Sequence, residues 1–381
     1  MKKGKKSWIT LSLLGGILLL LTIADLCTPD RLFSAYENRM LAKRPEFSLK
    51  ALFNGSFTTD YETYVTDQFV GRDTWITIKT LTDVTLGKVE VNGVYLAEDG
   101  SLIEKHASEE ITSETEEKRL TLLKELAARQ EEKPGSFQVM LVPTADNILT
   151  QKLPAFATYY DQSAFLEQIE NTIGDDNVIN VTDILNAHKD EYIYYKTDHH
   201  WTTLGAYYGY LAWAEKNNVT SVPYNATTVS ESFYGTLHSK TNLPVKPDKM
   251  EAYQPTFLKE GDSLQVTYDM GVKQTNSLYE EDYLTTKNKY GYFLDDNHGF
   301  IEIHREDAGE AAGKTLFLIR DSYASCFIPY LTEHYETIYV LDLRYYNGRL
   351  FSLLDTYEEQ GEMDVLVLYN VIHFLDEFRY Y

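Results

Sequence analysis

Two short segments of this chain carry residue types that could make and break an ester bond. Residues 194–203, YYKTDHHWTT, place Asp198, His199 and His200 in one turn just before a helix. A hydroxyl is a weak nucleophile at neutral pH, so a serine enzyme needs an imidazole within hydrogen-bond reach and a carboxylate to orient it. Asp198 and His200 stand two apart, close enough for the carboxylate to hold one ring nitrogen while the other faces a serine; His199 then points elsewhere. The serine on offer is Ser322, in RDSYAS, where the apolar strand TLFLI runs into the turn before the next helix. Free backbone N–H groups at a helix start present fixed positive dipoles where an acyl-transfer oxyanion would develop.

Each segment also has a plainer reading. Asp321 and Ser322 are common helix caps. Adjacent histidines and an aspartate suit zinc, but no HExxH and no cysteine cluster accompanies them, so no metal and no cofactor is assigned; a loop satisfied by its own hydrogen bonds is the third possibility. Arg344, in VLDLRYYN, follows a predicted strand, where its guanidinium would stabilise an oxyanion or grip a polar substrate, or form a surface salt bridge. Asn370, in VLVLYN, ends another strand, and its amide would complete an oxyanion hole or cap a turn. His199 and Trp201, beside the base, complete the candidate substrate contacts.

The elements that must position these residues alternate between helix and strand. Val91–Lys105 alternates around an Asp99-Gly100 turn and reads as a hairpin. Thr112–Gln130 has helical spacing, with Leu120, Leu123 and Ala127 on one face and charges opposite. Then come a strand Phe137–Val142, a helix Ser163–Ile173, a strand Val178–Val181, a short helix capped by Asp183 and a helix Thr203–Lys216. Residues 218–312 break this rhythm and read as an inserted region of loops and short strands. It resumes with strand Thr315–Ile319, a helix from Tyr323, strand Thr337–Leu341, a helix Leu350–Glu359 and strand Val365–Tyr369. Such alternation predicts an α/β fold whose parallel sheet is covered on both faces, with ligands at the carboxyl ends of the strands.

Ahead of this domain, Lys2, Lys3, Lys5 and Lys6 precede an uncharged run from Trp8 to Ala24, with Cys27 just beyond. Ala24-Asp25-Leu26 is a poor cleavage site and a weak lipobox, so residues 1–27 are expected to form a basic cytoplasmic tail and an uncleaved signal anchor, with the remainder outside the cell membrane. Residues 28–90, with amphipathic segments at 48–57 and 59–69, read as a helical stalk carrying the domain at 91–381. The net charge of −23 argues against nucleic acid, which binds through concentrated Lys and Arg. Thirty tyrosines offer aromatic faces for sugars as well as for a core. Cys27 and Cys326 are expected to be free.

KTDHHWT followed more than a hundred residues later by RDSYAS resembles the DHHW protein family, itself similar to the alginate O-acetylation proteins of the SGNH-hydrolase-like superfamily. ENR at Glu37–Arg39, Asp67 of DQF, Arg72, NGVYLAEDG and the strand-Pro run VMLVPTADN extend the resemblance over about residues 35–381. It implies a three-layer α/β/α domain with the serine last rather than first, a permuted motif order. It further implies Asp198 as acid, His200 as base and Ser322 as nucleophile; Arg320 stands where many relatives have glycine. The expected activity is O-acyl transfer, acetyl foremost, onto an extracellular polysaccharide. The resemblance also implies a multi-pass membrane O-acyltransferase as acetyl donor, because acetyl-coenzyme A is cytoplasmic. A carbohydrate acetylesterase with the same triad, or a non-catalytic glycan-binding or export-complex scaffold, would be built from the same residues.

Overall fold

A computed structural model describes residues 3–34, 39–258 and 264–380. Two compact units make up the chain, Met1–Lys88 with Ser239–Pro244, and Val89–His238 with Val245–Tyr381.

In the first unit a helix spans Lys3–Cys27, and its Trp8–Cys27 portion has a mean hydropathy of 2.2 and none of it buried, which is long and apolar enough to cross a bilayer. Three amphipathic helices follow, Leu49–Phe53, Ser56–Gln68 and Arg72–Thr85. Their junction is an ion cluster: Arg39 holds the buried Asp67 carboxylate through two bonds of 2.6 and 2.9 Å, Ala42 N–H adds a third at 2.8 Å, and Arg72 lies 3.7 Å away. Three positions that the family resemblance singled out therefore meet in one place; Glu37 and Asn38 lie outside the described residues.

The second unit is built on a seven-stranded sheet. Its strands are β1 Phe137–Val142, β2 Leu264–Tyr268, β3 Lys273–Thr275, β4 Phe300–Arg305, β5 Thr315–Arg320, β6 Thr337–Leu341 and β7 Asp364–Asn370, in spatial order β3-β2-β4-β6-β5-β7-β1. β6, β5, β7 and β1 run parallel, while β4, β2 and β3 add an antiparallel half. The sheet is therefore mixed rather than parallel throughout. Its antiparallel strands come from residues 218–312, whose short alternating runs lack the long crossovers that parallel pairing needs.

Strand alternation divides the apolar residues between two cores. Leu316 and Leu318 of β5 face one, Phe317 and Ile319 the other. Helices Ser113–Gln130 and Ser163–Ile173 bring Leu123, Leu126, Phe165 and Ile169 to the second face, and helix Thr203–Lys216 brings Ala206, Tyr210 and Trp213 to the first. Val178–Val181 forms only a single bridge, Val139 to Val178, instead of a strand. The helix expected from Tyr323 begins as a 3-10 helix, Ser322–Cys326, followed by a short α-helix Ile328–Leu331; Asp321 caps the first by accepting Tyr323 N–H, and the compact turn keeps its first amides at the strand end.

The helix Thr203–Lys216 lies close against its own approach segment. A Cβ at Gly205 would meet Ile193 O at 2.3 Å and Trp201 Cβ at 3.0 Å. Gly205→Ala is expected to destabilise the chain by about 1–3 kcal/mol through overpacking, read as a lower urea midpoint; an unchanged midpoint would contradict this close approach.

Candidate functional site

The carboxyl ends of the parallel strands gather polar residues at one rim. β5 ends in Arg320 and runs into Asp321-Ser322, β6 is followed by Asp342 and Arg344, and β7 ends in Asn370. The segment 194–202 reaches this rim from the far side of the sequence, held by the bonds Tyr195 N to His200 O and Thr202 N to Ile193 O.

Ser322, His200 and Asp198 meet there. Ser322 Oγ lies 2.7 Å from His200 Nε2, and His200 Nδ1 lies 2.5 Å from Asp198 Oδ1. Because an ionised carboxylate only accepts, Nδ1 carries the proton and Nε2 accepts from the serine. Burial by itself would raise the pKa of Asp198; the neighbouring His200 and His199 imidazoles, together with bonds from His200 and the Thr236 amide, hold it well below the usual carboxylate range. Asp198 Oδ2 accepts from Thr236 N–H at 2.8 Å and Thr236 Oγ–H at 3.2 Å. On the other side of the base, Tyr290 stacks on the His200 ring at 3.9 Å and donates to Ser322 O at 3.2 Å. Ser322 opens its turn, and its N–H has no acceptor among the described residues, so it is free to meet an oxyanion.

Beneath the nucleophile, Asp321 is fully buried and accepts four bonds, from Tyr323 N (2.9 Å), Asn370 N (3.0 Å), Asn370 Nδ2 (3.1 Å) and His373 Nδ1 (2.8 Å). Burial opposes ionisation of Asp321, but the His373 partner outweighs it and lowers its pKa; the same pairing raises that of His373 against its own burial. Arg320 points into the interior, 3.2 Å from Ser325 Oγ and 3.9 Å from Asp342 Oδ2, so its bulk does not occupy the space above Ser322.

The other sequence candidates divide. His199 donates Nδ1–H to Thr236 Oγ1 at 2.7 Å, and burial with the adjacent His200 pushes its pKa down to about 3. Trp201 is wholly buried, its indole N–H donating to Tyr323 O at 2.8 Å, and so braces the nucleophile turn instead of facing solvent. Arg344 is gripped by Asp342 through bonds of 2.9 and 2.7 Å. Asn370 gives one amide N–H to Asp321 at 3.1 Å, and its oxygen caps His373 N–H at 2.8 Å. Sequence reasoning missed Thr236, Tyr290 and His373; the first two belong to the irregular region 218–312, where neither spacing nor periodicity marks them. Among the described residues, Asp198, His199 and His200 are the one trio whose ligand atoms converge enough for a metal ion. In this arrangement both His200 nitrogens are already engaged, Nδ1 by Asp198 Oδ1 and Nε2 by Ser322 Oγ, so the ring serves the serine instead of an ion.

Comparison with known proteins places this fold. A DHHW protein of Eubacterium siraeum is similar in structure, with a TM-score of 0.61 and 24% identity over 75% of this chain and 93% of the other. Bacillus cereus PatB1 gives a TM-score of 0.61 at 18% identity, covering 75% of this chain and 99% of its own. PatB1 with a sulfonyl adduct gives 0.58 at 19% identity, covering 74% and 97%. These likenesses establish the fold. A comparison with curated proteins finds no match. The family model described as DHHW protein matches residues 140–341, more than half of the sequence and inclusive of His200 and Ser322. This chain belongs to the DHHW protein family.

Proposed function

We propose that this chain is an outward-facing, membrane-anchored O-acyltransferase that moves an acyl group, foremost acetyl, onto a hydroxyl of a cell-surface or secreted polysaccharide through an acyl-serine intermediate. The observation that carries this reading is the unbroken file of hydrogen bonds from Asp198 through His200 to Ser322. His200 Nε2 takes the Ser322 proton as Oγ attacks the carbonyl carbon of the acyl donor, and negative charge collects on the carbonyl oxygen beside the Ser322 amide. Collapse expels the leaving group, which receives the proton from His200. A sugar hydroxyl then gives its proton to Nε2 and attacks the acyl-serine; the second collapse returns the proton to Ser322 and leaves the ester on the glycan.

The apolar helix Trp8–Cys27 supports an anchor, and the lysines before it a cytoplasmic N-terminus, with residues 28–90 as stalk. The acyl donor on this reading is a multi-pass membrane O-acyltransferase that exports acetyl groups. The domain is read as SGNH-like, with its serine placed last in the chain.

The test uses the full-length chain in detergent with p-nitrophenyl acetate and a glycan acceptor. Acetyl on Ser322 by mass spectrometry and ester on the acceptor are expected. Hydrolysis without transfer would point to an esterase; no acyl-serine at all would sink the reading. Gly235→Ala adds a second check, because a Cβ there would meet Asp198 Cβ and Oδ2 at 2.2 Å. Displacing the carboxylate should lower turnover of the ester by about a hundredfold, and retention within threefold would count against the role of Asp198.

A further inference from the structure

Arg320 is the last residue of β5, and strand alternation turns its side chain to the face that also carries Leu316 and Leu318. It is wholly buried there, and its charge is poorly compensated. Nε and Nη2 have no hydrogen-bond partner among the described residues. Asp342 Oδ2 is 3.9 Å from Nη1 and already accepts from Arg344 at 2.7 Å. Taking a charge out of water is costly, and apolar side chains of similar volume commonly serve stability as well as a buried ion pair does. A guanidinium at this position therefore calls for a role other than packing.

Nη1 lies 3.2 Å from Ser325 Oγ and 3.4 Å from Asp321 O, the carbonyl of the peptide whose nitrogen belongs to Ser322. Ala324 N–H donates to the same oxygen at 3.2 Å. That peptide is trans, so its N–H points opposite to its C=O. Two donors on the oxygen thus fix the peptide plane and aim Ser322 N–H away from both of them. At 3.4 Å the hydrogen bond is weak, but a full charge attracts a carbonyl dipole over a longer range, and the wholly buried site has little solvent to screen it. Charge drawn toward Asp321 O leaves the N–H more positive, because bonds along such a chain polarise one another.

We propose that Arg320 is a positioning residue for the oxyanion. It acts through the Asp321–Ser322 peptide, holding its plane and strengthening Ser322 N–H as a donor to the acyl carbonyl oxygen. The guanidinium itself stays in the interior, touches no substrate and moves no proton. This role rests on the acyl-transfer reading above and adds the group that prepares its amide.

The experiment compares acetyl-ester turnover and melting temperature of the full-length chain with those of Arg320→Met, Arg320→Lys and Ser325→Ala. Methionine removes the charge and keeps much of the volume, and Asp342 retains both bonds from Arg344, so no carboxylate is stranded. Arg320→Met should melt within about 10 °C of the unmodified chain. Its kcat should fall about tenfold with KM within about threefold, the split expected when an interaction of the transition state is lost. Arg320→Lys keeps a charge but packs worse, so it should be the less stable and the more active of the two; a packing role would reverse the order of activity. Ser325→Ala removes the other Nη1 contact and should keep kcat within about threefold.

Four results would each overturn the proposal: an Arg320→Met kcat within about threefold of the unmodified chain, Arg320→Lys no more active than Arg320→Met, a loss in Ser325→Ala equal to that in Arg320→Met, or a larger drop in melting temperature for Arg320→Met, which would make the guanidinium structural. An unmodified chain that forms no acyl-Ser322 would instead strike the acyl-transfer reading, so the two failures are distinguishable.

Discussion

Ser322→Ala should lower acetyl-ester turnover by about ten-thousand-fold or more while leaving the folded chain intact. The hydroxyl is the hydrogen-bond partner of His200 Nε2, at 2.7 Å, and its removal leaves Asp198, Tyr290 and the Ser322 amide in place. A single partially exposed hydrogen bond contributes on the order of 1 kcal/mol, so the unfolding midpoint should barely move. The substitution therefore separates chemistry from stability. A variant retaining a tenth of the activity would mean that another nucleophile acts. Cys326 is a poor one, fully buried and with burial pushing its pKa up to about 12.

The second large effect is structural. Asp321→Ala should cost about 3–5 kcal/mol, because removing one member of a buried pair strands the other along with three N–H donors. Asp321 has a folded pKa below its ordinary 3.8, so its contribution is present above that value and is lost as pH falls through the lowered one. His373 has a folded pKa above 6.5, so its contribution is full below 6.5 and is lost as pH rises through the raised value. The penalty should accordingly be greatest between about pH 4 and pH 6.5 and smaller at pH 9. Urea titrations of the variant and unmodified chains at pH 5.5 and 9 measure this, and a penalty independent of pH would remove the ion pair from the account. Ester turnover should fall as well, since Asp321 sets the turn on which Ser322 stands.

The helices at Ser113–Gln130, Ser163–Ile173 and Thr203–Lys216 are legible because their signals are local: apolar periodicity, clearest in Ser163–Ile173, and the side-chain caps Thr112 and Thr202 of the other two. The strand Thr315–Arg320 was legible for a similar reason, as a short apolar run ending in polar residues. Val178–Val181 misled because three apolar residues around Asn180 fit an edge bridge as readily as a strand. Residues 218–312 misled further: their strands lack length and period, yet they complete the sheet and supply Thr236 and Tyr290 to the site.

From sequence alone came the types and order of the reactive groups, since Asp198-His199-His200 lies within a single turn and Ser322 directly follows a buried strand. The tertiary structure alone decided which nitrogen of His200 meets the serine, that Asn370 braces Asp321, and that three further histidines border one cleft. The division has a physical cause. Periodicity and capping are written within a few residues of each other, whereas a hydrogen bond across 122 positions exists only once sheet packing has fixed both ends.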